Sequence, residues 1–216
     1  MIEVAIFDFD KTIFSKDSIV RFTEFLLEKK IIDIDIWDSN FSMDSNKEIS
    51  NFKKKLLLIS KLEGFSIEFI EKLFIDFSVQ NLDNYFPQTI IELERNINEG
   101  RLIICISASF DLLVRKMLEI KNIKIDFIFG TKLEFDNGIC TGKINGLNAS
   151  GINKFYIIKD WLNENNFSTN QIMEAYTDHI SDISFLLLAK NKFVIKSKYW
   201  NDDWSALLDV NYIIVD

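Results

Sequence analysis

The sequence predicts an α/β fold: a Rossmann-like, mainly parallel sheet with a helical block inserted after its first strand. Three observations carry that expectation. The apolar run Val4-Ala5-Ile6-Phe7 has strand character and ends at once in two acids, Asp8 and Asp10. From Pro87 onward, short apolar runs alternate with helix-period segments, which is the grammar of βαβ units. Between the two, residues 15–85 carry helical patterning and no clear strand. The expected division is therefore 1–14 with 86–216 as the sheet-bearing core, and 15–85 as the insertion.

Each element has its own warrant. Asp17 to Lys30 reads as a helix through the stripe Ile19, Phe22 and Leu26, with Lys29 and Lys30 suited to its C-terminal turn. Residues 31–45 fit a strand, a loop or a helix start equally. Asn46 to Leu62 reads as a helix stopped by Gly64, and Ser66 to Val79 as another. Pro87 opens a helix that Gly100 ends. Arg101 to Ser107 is a buried-type strand, Asp111 to Ile120 a helix, and Asp126 to Phe129 a strand. Leu133 to Ile144 reads as a separate hairpin turning at Asp136-Asn137-Gly138. Next come a helix at Asn153 to Asn163, a strand at Ile172 to Tyr176 and a helix at Ser181 to Lys190. Strands at Phe193 to Ile195 and Tyr212 to Val215, with a short helix at Trp204 to Leu208 between them, complete the pattern.

Bulk properties narrow the function classes. Net charge is -8, from 25 basic and 33 acidic residues, which argues against a general nucleic-acid binder and suits a protein that collects divalent cations. No apolar run is long enough to span a bilayer, so no membrane insertion is expected. The N-terminus enters the first strand without a basic leader. Cys105 and Cys140 lie in apolar, strand-like surroundings and read as buried hydrophobes of a reducing compartment. Together these place the protein in the cytoplasm. The 20 phenylalanines read as core filling, those of residues 15–85 as that block's own small core.

The chemistry gathers at strand ends. Asp8 and Asp10 share one side of an extended chain at the edge where ligands bind in open α/β sheets. Ser107-Ala108-Ser109 ends a second strand just ahead of a helix, a place for anions. Asp178 and Asp182 stand four apart after a third strand, and Lys154 opens the helix feeding it. Several carboxylates at one edge suit a hard cation such as Mg²⁺, commonly held by one or two carboxylates with phosphate and water. Each residue alone also has a plainer reading. Asp10 and Ser107 suit helix caps, Lys154 a solvated surface lysine, and Asp182 an acid favoured by a helix dipole.

In this order, the motifs resemble those of the haloacid dehalogenase superfamily. Asp8-Phe9-Asp10-Lys11-Thr12 matches its first motif, Ser107 its second, Lys154 its third and Asp178-x-x-x-Asp182 its fourth. The insertion resembles that family's first type of cap. Ser107 to Asp111, Thr141-Gly142-Lys143 and Gly151-x-x-Lys154 look most like the phosphoserine-phosphatase-like branch. The resemblance implies a Mg²⁺-dependent phosphomonoester hydrolase acting on a small phosphorylated metabolite: phosphoserine-like, a sugar phosphate or a polyol phosphate. It implies Asp8 as nucleophile, forming an aspartyl phosphate, and Asp10 as general acid and base. Asp8, the Asp10 carbonyl and Asp178 would hold Mg²⁺, with Asp182 and Thr12 in support. Ser107, Ser109 and Lys154 would hold the phosphoryl oxygens. The alternatives are a catalytically silent binding or regulatory module on this fold, a phosphotransferase, or a lipid-phosphate phosphatase.

Asp10-Lys11-Thr12 also matches the D-K-T of ion-pumping ATPases, but Ile13-Phe14 lacks their Gly-Thr continuation. His179 replaces a small residue common in relatives and reads as a tolerated neighbour, or else as a contact to substrate or water. Lys53, Lys54 and Lys55 read as a solvated helix face, with attraction of an anionic substrate as the alternative.

Overall fold

The computed structural model describes residues 2–33, 47–197 and 209–215. A seven-stranded sheet organises them, in the order β4-β3-β2-β1-β5-β6-β7. The strands are β1 (Val4–Asp8), β2 (Leu102–Phe110), β3 (Phe127–Asp136), β4 (Ile139–Asn145), β5 (Ile172–Thr177), β6 (Asn191–Ser197) and β7 (Asn211–Val215). All neighbours run parallel except β3 and β4, which form a hairpin. β1 is central, and every one of its residues is buried. That burial on both faces is why its sequence is a continuous apolar run. Ala5 and Phe7 face one core cluster, Val4 and Ile6 the other.

Helices cover both faces. On one side lie α4 (Pro87–Asn98) and α5 (Asp111–Lys121); on the other lie α6 (Ile152–Glu164) and the short α7 (Ile183–Leu186). The inserted segment supplies α1 (Ser18–Glu28), α2 (Lys47–Lys61) and α3 (Ile67–Gln80). Asp17 caps α1 by accepting from the Val20 N–H at 3.1 Å, and Ser66 caps α3 by accepting from the Phe69 N–H at 3.2 Å. Pro87 sits in the first turn of α4, where its missing N–H costs nothing.

Several expectations change. The phenylalanines of the insertion do not form a separate small core. Phe22, Phe25, Phe74 and Phe77 belong to the same buried cluster as Phe7, Phe9 and Phe110 of the sheet. Phe74 and Phe110 have ring centroids 6.3 Å apart, and α3 packs on α5. The insertion is stitched on a second time at the sheet edge. The Gly64 N–H donates to Cys140 O at 2.9 Å, the Cys140 N–H to Phe65 O at 2.8 Å, and the Ile67 N–H to Gly138 O at 2.8 Å.

The strand expected at Asp126 to Phe129 and the hairpin from Leu133 are one continuous β3, which leaves β2 and then pairs with β4. The helix expected over Ser181 to Lys190 is a 3₁₀ turn at Ile180–Asp182 followed by the single turn of α7, with Leu187 to Lys190 as the link to β6. The short helix expected at Trp204 to Leu208 lies outside the described residues. Both cysteines are buried and free. Among the described residues no helix is long and apolar enough to cross a membrane.

Candidate active site

The carboxyl ends of β1, β2 and β5 meet beneath the inserted helices around a cavity of about 260 Å³. Asp8 is the last residue of β1. The chain then turns tightly, with the N–H groups of Thr12, Ile13 and Phe14 all donating to Phe9 O and Lys11 at a left-handed φ of 56°. This turn brings Thr12 Oγ1 back to Asp8 Oδ2 at 3.3 Å and leaves Asp8 and Asp10 both lining the cavity. Asp10 is not the N-cap residue of α1, yet it helps to cap that helix from outside it. Its Oδ1 accepts from the Ser18 N–H at 2.9 Å, while Asp17 caps α1.

Lys154 is buried rather than solvated. Its Nζ lies 2.6 Å from Asp8 Oδ1 and 2.6 Å from Asp182 Oδ2. Thr177 Oγ1 donates to the same Asp182 oxygen at 2.9 Å. Asp178 is also buried and lines the cavity. Ser107 does not cap α5, because β2 continues to Phe110 and the helix begins at Asp111. Instead Ser107 Oγ accepts the Ser109 N–H at 3.0 Å, so that N–H is engaged within the turn. Ser109 Oγ accepts from Ser18 Oγ at 2.8 Å. Ala108 and Ser109 line the cavity, with Ser107 buried behind them. His179 reaches the cavity as well. Its Nδ1 accepts from the Ser181 N–H at 3.2 Å, so a neutral ring carries its proton on Nε2.

The electrostatics follow from crowding acids away from water. Burial raises the Asp8 carboxyl above its ordinary range; Lys154 opposes this and Asp182 adds to it. Burial, then Asp17 and Asp8, push Asp10 up to about 8. Burial, with Asp8 and Asp182, raises Asp178 well above its usual value. Burial alone would lower Lys154, but the charges of Asp182 and Asp8 overturn this and hold it above a free lysine. The donor set is all hard oxygen, and crowding raises these carboxyls toward their neutral forms, which a cation among them would reverse. That chemistry fits a Mg²⁺-like cation, which asks for only one or two carboxylates. Among the described residues no group of three acidic, histidine or cysteine side chains converges as a metal cage.

One buried charge escapes a sequence reading. Lys55 of α2 is buried, not part of a solvated face. Its Nζ lies 2.5 Å from Ala108 O and 3.2 Å from Thr131 Oγ1, and it also bonds Asn148 Oδ1. Burial pushes its ammonium down to about 8; Asp10 and Asp17 oppose that shift and Lys154 adds to it. The sequence does hold a signal for it. Lys55, Leu58, Ile59 and Leu62 follow helical spacing, so Lys55 stands on the buried stripe of its helix.

A parallel α/β sheet whose strand ends carry D-x-D-x-T, a serine turn, a lysine and a paired-acid motif defines a class of hydrolase. The chain belongs to the haloacid dehalogenase-like hydrolase family, whose model matches residues 5–187. It is 32% identical over 88 residues to a phosphoserine phosphatase of Lactococcus lactis subsp. lactis, a stretch covering 41% of this chain and 39% of that protein. Solved structures share the fold. A protein of unknown function from Bordetella pertussis Tohama I superposes with a TM-score of 0.77 at 15% identity, over 90% of each chain. A phosphoserine phosphatase trapped as a phospho-aspartyl intermediate analogue superposes with a TM-score of 0.60 at 22% identity, over 90% of this chain and 86% of that one.

Proposed function

We propose that this protein is a Mg²⁺-dependent phosphomonoester hydrolase that acts through an aspartyl phosphate on a small phosphorylated metabolite. In this reading residues 1–14 and 86–216 are the catalytic core, 15–85 are a cap over the site, and the cytoplasm is where it works. The carrying observation is the pairing of Asp8 with Asp10 in one buried cavity. One carboxylate is held by an ammonium, and its neighbour is protonated at neutral pH. The cavity volume supports a small substrate, and the relatives' names support a phosphoserine-like, sugar or polyol phosphate.

Asp8 attacks phosphorus, an aspartyl P–O bond forms, and the ester P–O bond breaks. The Asp10 proton passes to the leaving oxygen, which departs as the alcohol. Asp10, now a carboxylate, takes a proton from water as that water attacks phosphorus and releases Asp8. Its pKa of about 8 keeps the acid form populated where the first step needs it. Lys154 and the Ser107–Ser109 turn hold the phosphoryl oxygens, and Thr12 and Asp182 brace Asp8 and Lys154. Asp8, the Asp10 carbonyl and Asp178 would hold Mg²⁺, which supplies charge neutralisation between the nucleophile and an anionic phosphate.

Phosphate release across a panel of phosphomonoesters with Mg²⁺, wild type beside Asp8→Asn, tests the reading. Turnover of at least one ester by the wild type and silence of the variant are expected. Turnover retained by Asp8→Asn would remove the nucleophile assignment. Chelation should silence the enzyme and Mg²⁺ restore it; indifference to chelation would remove the metal role of Asp178.

A further inference from the structure

Lys55 breaks a local rule. It occupies an apolar-stripe position of α2, where a leucine or methionine would suit the packing, and burial disfavours its charge more than Asp10 and Asp17 favour it. A residue that breaks such a rule without an obvious gain in stability is a place to look for function. Its acceptors, Ala108 O, Thr131 Oγ1 and Asn148 Oδ1, all belong to the core. An ammonium has three N–H donors, and these acceptors occupy them, so Lys55 keeps none to offer a ligand.

Those acceptors sit at one junction. Ala108 is the middle residue of the Ser107–Ser109 turn. Thr131 Oγ1 donates to the same Ala108 carbonyl at 2.9 Å and accepts the Ala149 N–H at 3.2 Å. Asn148 Nδ2 donates to Ser150 Oγ at 2.6 Å, and Asn153 Nδ2 donates to Asn148 O at 2.9 Å. That loop runs directly into the helix that carries Lys154. Gly130 presses β3 against the turn. A Cβ there would lie 2.7 Å from Asp111 N and 2.8 Å from Ser109 O, so only glycine permits the approach. The junction thus joins the two segments that present the phosphate-binding groups, and Lys55 is its contribution from the inserted helices.

We infer that Lys55 is a positioning residue: by tying Ala108, Thr131 and Asn148 together, it sets the serine turn and the Lys154 loop at the spacing a phosphoryl group requires, and so makes phosphate binding depend on a seated cap. The inference rests on the reading that this turn and Lys154 hold the phosphoryl oxygens. It separates Lys55 from a selector of the leaving group. A selector would change which ester is preferred, whereas this residue changes the grip on phosphate whatever it is attached to.

Binding of inorganic phosphate, measured by titration calorimetry with Mg²⁺ present, tests this on the wild type, Lys55→Met and Thr131→Val. Each variant is expected to bind phosphate about tenfold more weakly, the scale of one lost charge-assisted hydrogen bond acting indirectly. The double variant should be no weaker than the poorer single one, because both break one junction. KM for every ester should rise by a similar factor, with their order of preference unchanged. Phosphate affinity within twofold of wild type, or a reordered preference among esters, overturns the proposal. If Lys55→Met fails to fold, Thr131→Val alone decides, since unchanged phosphate affinity there also overturns it. The outcomes also part from the hydrolase reading. A wild type that hydrolyses no ester yet binds phosphate in a Lys55-dependent manner removes that reading and keeps this one. A hydrolase silenced by Asp8→Asn whose phosphate affinity ignores Lys55 removes this one alone.

Discussion

Two lysines are buried in one cavity and live under opposite rules. Lys154 comes from the core and sits between the carboxylates of Asp8 and Asp182, which overcome the cost of burial and keep it firmly charged. Lys55 comes from the inserted helices and sits among a carbonyl, a hydroxyl and an amide oxygen. Burial there wins, and the ammonium weakens to about 8. A buried cation beside anions offsets their charge. A buried cation whose hydrogen bonds all go to neutral acceptors holds those acceptors together. On the proposed function the first serves the chemistry and the second the alignment of the parts that perform it.

Removing each lysine should expose that difference. Lys154→Met strips Asp8 and Asp182 of their shared cation. kcat/KM for the best ester should fall about 10³-fold, with stability at neutral pH lowered by roughly 3 kcal/mol in urea unfolding. A drop in kcat/KM of only a few fold would erase the distinction between the two residues.

The pH response of stability comes next in size. Lys55 titrates near 8 when folded and at the ordinary 10.5 when unfolded. Between those values the unfolded chain binds more protons, so this group makes stability rise with pH across that window. Relative to Lys55→Met, the wild type should gain on the order of 3 kcal/mol between pH 7.5 and pH 10.5, followed by urea unfolding at both ends. A flat difference would mean that Lys55 is not a desolvated cation. The smallest effect concerns the seam that seats α2 and α3. Ser66→Ala removes the cap of α3 beside its hydrogen bonds to the hairpin and should cost about 1 kcal/mol. Calorimetry should place that loss in the one main transition, since both regions share a core. A separate early transition would show the insertion melting alone.

What could be read from the sequence follows the same division. Asp8, Asp10, Ser107 and Asp178 are legible because each stands at or just past the end of an apolar run, and Lys154 and Asp182 because they follow at the spacing the remaining motifs require. Lys55 was obscured by its neighbours Lys53 and Lys54. Three lysines in a row suggest solvent, although the apolar stripe through Leu58 and Leu62 runs straight through the third. Thr131 and Asn148 give no local signal, because their role exists only once β3 lies against the serine turn. The same close approach hid the continuity of β3. Gly130-Thr131 looks like a break between apolar runs, whereas glycine there is what lets the strand pass the turn. The separate core expected for the insertion failed because amphipathic helices reveal that they bury a face, but not against what.

The place of β1 in the sheet has a consequence for how the molecule comes into being. β1 precedes every other strand along the chain, yet its partners are β2 and β5, which lie beyond the inserted helices and, for β5, beyond α6. At a ribosomal pace of roughly 5–20 residues per second, an emerging β1 waits on the order of ten seconds for β5. Through that interval a strand destined for burial on both faces has no permanent neighbour on one side. Nascent chains that stop before β5 carry a central strand with one edge open, the kind of surface that chaperones hold and proteases find. The strand that ends in Asp8 is thus the first made, and it gains its second neighbour only after most of the chain has followed.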